Sequence, residues 1–213
     1  MHRYRFRTFF VLLALLILLP SGVSAQSASL YGEAAPDDAA FVRIYNALVE
    51  PQTTWVGSVE FASAEPGQAT AYRPVNPGVH AVFSGNEYAE LIARDAEFFT
   101  VILEPRGPQV HQDRRHTRAD QAQLVVYNID LDGPVSLKTG DGSVTVVDAV
   151  ESGGAGSVSV NPAAVELVLQ PPQGSSLELG DIGMQRGQSY AMFVFLQDGR
   201  PQVQLQQAEI LAQ

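Results

Sequence analysis

Two segments of the chain carry the same pattern: AFVRIYNA, Ala40 to Ala47, and QLVVYNID, Gln123 to Asp130, each with a Tyr-Asn pair at the end of a short apolar run. In an extended strand successive side chains point to opposite faces. Val42 and Ile44 therefore share one face, and Leu124 and Val126 take the same places in the second copy. The opposite face carries Phe41, Arg43 and Tyr45 in one copy and Gln123, Val125 and Tyr127 in the other. A face kept apolar in both copies is the one expected to pack a core, because a one-residue slip would turn it to solvent. The repeat continues: Val75-Asn76-Pro77-Gly78 is answered by Val160-Asn161-Pro162-Ala163. Proline fixes its own φ and keeps the preceding residue out of the helical region, so each Asn-Pro reads as a turn into the next strand. Those strands are GVHAVFSG and AAVELVLQ, and each half closes on an apolar one, EFFTVIL (Glu97 to Leu103) and SYAMFVFLQ (Ser189 to Gln197).

Short alternating runs rich in Val, Tyr, Phe and Thr, bounded by Gly, Pro, Asn and Asp, are the pattern of strands joined by turns. In VSLKTGDGSVTVV, Gly140-Asp141-Gly142 is turn chemistry inside a hairpin. The expected fold is all-β: two tandem small antiparallel β-sandwich domains of immunoglobulin-like type, residues 26–105 and 121–213. The stretch between them, 106–120, is polar, punctuated by Gly107 and Pro108, and holds Arg106, Arg114, Arg115 and Arg118, so it reads as a linker.

The N-terminus bears Arg3, Arg5 and Arg7, then an apolar run from Phe9 to Leu19, then Val23-Ser24-Ala25. A basic head, a short apolar middle and small residues at the exit describe a secretory leader. The run is too short for a spanning helix, which needs about 20 residues. Residues 1–25 are therefore expected to be removed near Ala25, leaving an exported protein.

With 13 Lys and Arg against 23 Asp and Glu, the formal net charge is −10. That balance excludes nucleic acid as a partner, since phosphates demand a basic face. There is no cysteine, so burial alone must hold an exported fold; thiolate catalysis and cysteine metal sites are excluded.

Catalytic signals are missing where they would be expected. A nucleophilic site needs a serine, its base and an orienting acid, and no G-x-S-x-G elbow is present. The glycine-rich run Ser152 to Ser157 leads into no helical pattern and reads as a flexible loop rather than a phosphate cradle. His111 and His116 fall in the expected linker beside its arginines without a third ligand at metal spacing, and His80 reads as a half-exposed strand residue. Trp55, sharing a strand face with Gly57, Val59 and Phe61, is expected in the core; its alternative is a sugar-stacking platform. No catalytic, cofactor or metal residues are assigned.

The opening block, Leu30-Tyr31-Gly32 followed by Ala40-Phe41-Val42-Arg43-Ile44-Tyr45-Asn46-Ala47, resembles the AlgF family of alginate biosynthesis. Val126-Tyr127-Asn128, Ser136-Leu137-Lys138-Thr139, Asp141-Gly142, Asn161-Pro162 and Arg186-Gly187 extend the likeness over nearly the whole mature chain. The resemblance implies a periplasmic accessory role in O-acetylating an exopolysaccharide, alginate first, with cellulose systems also using AlgF-like proteins. It implies as partners exported O-acetyltransferases of Ser-His-Asp type and a membrane-bound O-acyltransferase, with the polysaccharide itself as a further candidate. On this reading the chain is a non-catalytic adaptor, and Arg43, Arg114, Arg115 and Arg118 are its candidate partner contacts. The alternative class is a stand-alone carbohydrate- or surface-binding tandem β module.

Overall fold

The computed structural model describes residues 38–211 apart from 163. The expected leader, its cleavage point and the Leu30-Tyr31-Gly32 block lie outside the described residues. Among the described residues all regular structure is β-strand. The first half contributes β1 (Ala40–Asn46), β2 (Gln52–Val56), β3 (Val59–Ala64), β4 (Arg73–Val75), β5 (Gly78–Ser84), β6 (Glu87–Ala93), β7 (Phe98–Glu104) and β8 (Gly107–Asp113). The second contributes β9 (Ala122–Asn128), β10 (Val135–Thr139), β11 (Thr145–Val150), β12 (Gly154–Val160), β13 (Ala164–Gln170), β14 (Leu177–Gly183), β15 (Ser189–Gln197) and β16 (Arg200–Gln207).

The two halves repeat one strand order. One sheet runs β4-β1-β7-β8 and its counterpart β12-β9-β15-β16; β11-β10-β13-β14 forms another, and β2-β3 and β5-β6 stand as hairpins. In the second half β10 joins its hairpins by pairing with β13, Leu137 opposite Leu169. In the first half the corresponding link includes a side-chain bond, Thr54 Oγ1 donating to the Phe83 carbonyl at 3.0 Å.

The expectation of purely antiparallel sheets fails at the centre of each half. β1 pairs with β7 in parallel, Tyr45 opposite Ile102, and β9 with β15 likewise, Tyr127 opposite Phe193. In each half five short strands intervene before the chain re-enters the first sheet in its original direction. Parallel strands are characteristically covered on both faces, and that holds here: all seven residues of β9 are buried, and six of the seven in β1.

The shared inner face behaves as its periodicity predicts. Val42, Ile44, Val101 and Leu103 pack one core with Phe61 and Leu91; Leu124, Val126, Met192 and Val194 pack another with Leu137 and Leu169. The opposite face does not meet water. Tyr45, Ile102, Val125, Tyr127, Ala191 and Phe193 form a third core between the halves.

The repeated asparagine performs one task twice. Asn46 Nδ2 donates to the carbonyls of Glu50 and Ala64, and its Oδ1 accepts from the Leu48 amide. Asn128 Nδ2 donates to the carbonyls of Gly133 and Val150, and its Oδ1 accepts from the Leu131 amide. Each buried amide closes the loop that leaves the strand and pins it to the end of β3 or β11, leaving no polar atom unpaired. The tyrosines sandwich a single ring: Tyr45 stacks on Phe193 at 3.7 Å between centroids, and Tyr127 stacks on it at 5.0 Å.

Three local readings are corrected. The first half of the expected linker is strand: β8 hydrogen-bonds along β7 from Phe98–Asp113 to Glu104–Gly107, so Pro105 and Arg106 are a two-residue hairpin turn and not the start of a tether. In the run Ser152 to Ser157, Ser152 and Gly153 form a turn and the rest opens β12, which pairs with β9. A Cβ on Gly156 would lie 2.8 Å from Val150 Cγ2, which explains a glycine there. WVGSVEF is two strands about a turn at Gly57 (φ 60°), and Trp55 is 51% exposed instead of core.

Candidate functional site

Arg43 occupies the middle of β1 with only 2% of its surface exposed, so it is not a surface contact for a partner. A buried charge must be paired and hydrogen-bonded, and the partners come from both halves. Its Nε donates to Thr100 Oγ1 at 2.8 Å, and its Nη2 to the Tyr127 hydroxyl at 3.1 Å. The guanidinium also lies over the Tyr72 ring, 4.5 Å from its centroid.

Below it sits the carboxylate of Asp113, the last residue of β8. Oδ2 accepts from the Tyr72 hydroxyl at 2.7 Å and from Thr100 Oγ1 at 2.6 Å, and Oδ1 accepts from the Tyr127 hydroxyl. Burial, reinforced by Asp113, pushes the Tyr127 and Tyr72 hydroxyls above their ordinary pKa, so they stay neutral donors. Burial alone would lower the Arg43 pKa, but attraction from Tyr127, Tyr72 and Asp113 outweighs it and the guanidinium is held above its usual value. His111, edge-on to the Tyr127 ring at 5.5 Å, is pushed down by burial against the opposing pull of Asp113. Both carboxylate oxygens are engaged, so this cluster is suited to fastening the two halves together.

Backbone bonds add to the fastening. The Tyr72 amide donates to Glu209 O at 2.8 Å and the Leu211 amide to Tyr72 O at 2.9 Å. Gln206 Oε1 accepts from the Ala69 amide at 2.7 Å, and its Nε2 donates to Gly67 O at 3.1 Å.

Above the cluster a cleft of about 600 Å³ opens between the halves. Tyr72, Phe98 and the Asp113–His116 stretch line it from one side, and Val125 with the 207–211 stretch from the other. Arg114 and Arg115 are exposed at its edge. His116, half-buried, is anchored through Nε2 to Gln121 O at 3.0 Å. Arg118 stands apart, exposed and joined to Asp120 through Nε–Oδ1 at 3.1 Å and Nη2–Oδ2 at 3.2 Å. Of the four predicted arginines, two share the cleft, one lies buried beneath it and one is turned elsewhere. The cleft thus offers two guanidinium groups to an acidic or anionic surface. Among the described residues no group of three His, Asp or Glu is placed to hold a metal ion.

Tyr72, Thr100, Asp113 and Phe193 were invisible as a group in the sequence. The one available signal was Arg43 itself, a charge in the middle of an apolar strand that demanded buried partners.

The sequence matches the model of the family described as "Alginate O-acetyl transferase AlgF" over residues 14–191. It is 27% identical to the alginate biosynthesis protein AlgF of Azotobacter vinelandii over 172 residues, covering 80% of this chain and 79% of that one. It is likewise 27% identical to AlgF of Pseudomonas aeruginosa over 171 residues, covering 80% and 79%. A solved structure of the C-terminal domain of P. aeruginosa AlgF superposes with a TM-score of 0.38 at 25% identity, covering 41% of this chain and 98% of that one. A family match spanning most of the chain, with relatives aligned over four-fifths of it, shows that this chain belongs to the AlgF family of alginate biosynthesis proteins.

Proposed function

We propose that the protein is a periplasmic adaptor in alginate O-acetylation, without acetyl-transfer chemistry of its own, and that it holds exported acetyltransferase components near a membrane-bound acyltransferase. Its two halves act as tandem β-sandwich domains of immunoglobulin-like type. The observation that carries this reading is the fastening between them: the third core, the Arg43–Asp113 cluster and the Tyr72 backbone bonds make one body from a duplicated scaffold. A body of that kind holds two docking surfaces at a fixed spacing, and confining two partners together raises their effective concentration to about millimolar. The cluster's nucleophile-bearing groups are consumed by one another, which suits scaffolding better than turnover.

The test is the ester-linked acetyl content of the secreted polysaccharide from a host with the gene deleted and then restored. Acetyl lost on deletion, regained on restoration and accompanied by normal polymer yield is the expected result. Restoration with Arg114, Arg115 and Arg118 all changed to Ser should recover less acetyl and retain less transferase in pull-downs, at unchanged melting temperature. Acetylation that ignores the deletion overturns the proposal. The half-exposed Trp55 favours the alternative, a stand-alone carbohydrate-binding module, which instead predicts quenching of Trp55 fluorescence by the polysaccharide alone.

A further inference from the structure

The β5–β6 hairpin turns an apolar face outward. Val82, Leu91 and Ala93 point into the first core, whereas the residues between them alternate to the other side. There the cross-strand pairs are Val79 with Ile92, Ala81 with Glu90, and Phe83 with Tyr88. Val79 is 64% exposed, Phe83 54%, Tyr88 67% and Ile92 45%. Trp55 of β2, half-exposed between the buried Thr54 and Val56, is turned away from the same core. Together these side chains offer roughly 500 Å² of apolar surface, at the level of the largest patches on ordinary monomers, which are frequently functional.

The duplicated scaffold supplies its own control. On the corresponding sheet of the second half, β13 and β14 turn Glu166, Val168, Gln170, Glu178 and Asp181 to that side, a largely polar set. The shared fold therefore does not require an apolar outer face. The patch also carries negative charge on its own face: Glu90 lies between the two apolar pairs and Glu60 lies opposite Trp55, both exposed. Valine and isoleucine bring no hydrogen bonds for sugar hydroxyls, and the carboxylates repel a polyuronate chain. A protein surface with a basic residue amid apolar ones matches on both counts, since its cation would meet Glu90 and the Phe83 and Tyr88 rings together.

We propose that this face is a protein-docking surface, and that its occupant is an apolar patch on an exported acetyltransferase with an exposed Arg or Lys at its centre. The inference rests on the adaptor reading above and gives it a second, chemically opposite surface beside the arginine-edged cleft.

The experiment uses the full mature chain and each purified exported acetyltransferase of the same host's alginate system, with affinities measured at low and high salt. Phe83→Ser combined with Tyr88→Ser should weaken binding of one transferase at least tenfold with no fall in melting temperature. Glu90→Lys should weaken the same complex at low salt, with the difference shrinking at high salt. Unchanged affinity in both variants overturns the docking face while leaving the adaptor reading standing. Failure of the unaltered protein to bind any of the transferases overturns the adaptor reading itself. Two further outcomes overturn the chosen occupant: a dimer in sedimentation that the double variant abolishes, or alginate oligosaccharide binding that it abolishes.

Discussion

Replacing Arg43 by Met tests whether the buried cluster fastens the halves as its geometry implies. Methionine keeps much of the side-chain volume between Tyr72, Tyr127 and Phe193 but removes the cation. Two hydrogen bonds disappear, Nε to Thr100 and Nη2 to Tyr127, and with them the ring contact to Tyr72. The larger effect falls on what is left: Asp113 remains a buried carboxylate held only by neutral hydroxyls. Removing one member of a buried charge pair costs about 3–5 kcal/mol. Arg43 and Asp113 communicate through shared hydroxyls and not by a direct contact, so the lower end, about 3 kcal/mol, is expected. For a domain-sized protein that corresponds to a fall of about 10 °C in melting temperature.

The diagnostic variant is the double one. Arg43→Met with Asp113→Asn removes both charges, and an amide still accepts through its oxygen from the surrounding hydroxyls. It should be more stable than Arg43→Met alone, with a coupling of at least 1.5 kcal/mol in a double-mutant cycle followed by far-ultraviolet circular dichroism in urea. Additive losses, or a double variant weaker than the single, would show that the two charges do not sense each other and would refute the cluster's role as a fastening.

Two more predictions follow from the same junction and its repeat. Burial first, then repulsion from Asp130, pushes the Glu104 carboxyl up to about 7 against the pull of Arg106. A carboxyl whose folded pKa lies above its unfolded value contributes stability that is full below about pH 4.5 and is lost as pH rises through about 7. With allowance for its partial exposure the loss is about 1–2 kcal/mol, so Glu104→Gln should melt higher than the unaltered protein at pH 8 and alongside it at pH 4. Asn46→Ala and Asn128→Ala each delete three equivalent hydrogen bonds and strand buried carbonyls, so each should cost about 2–3 kcal/mol by urea unfolding. Unequal losses, with one variant near neutral, would break the structural equivalence of the two Tyr-Asn pairs.

The inner faces of β1 and β9, the Gly140–Gly142 hairpin and the strands that follow each Asn-Pro could be read from alternation and turn chemistry, because those signals are local. The junction could not. Burial of Arg43, Tyr45 and Tyr127 depends on a second sheet packing across the face that alternation alone assigns to solvent, and nothing within a few residues of them announces that sheet. The linker reading failed for a related reason: Pro105 and Gly107 serve a tight turn, and the polar residues after them belong to a strand at the edge of its sheet, where outward side chains meet water. Trp55 was misplaced because a turn at Gly57 reverses the chain and separates it from Val59 and Phe61. Of the four predicted arginines, the two that meet at the cleft were legible as exposed basic residues, but their proximity to the second half was not.

Duplication explains the scaffold and divergence explains the junction. The registers make Arg43 the counterpart of Val125, Thr100 of Ala191 and Ile102 of Phe193, while Tyr45 and Tyr127 match. Two unaltered copies of the first half facing one another would set arginine near arginine in a dry interface, at a prohibitive desolvation and repulsion cost. Here one face keeps the cation and its hydroxyl partner, and the other presents small or apolar side chains plus a tyrosine that serves both sides. The outer hairpins diverge too, apolar with a carboxylate at its centre on one half and polar on the other. A protein that only needed two stable sandwiches had no reason to distinguish their outer faces. Under the proposed adaptor role both kinds of asymmetry have a use: an inner one to lock the halves together and an outer one to keep two different partners from exchanging places.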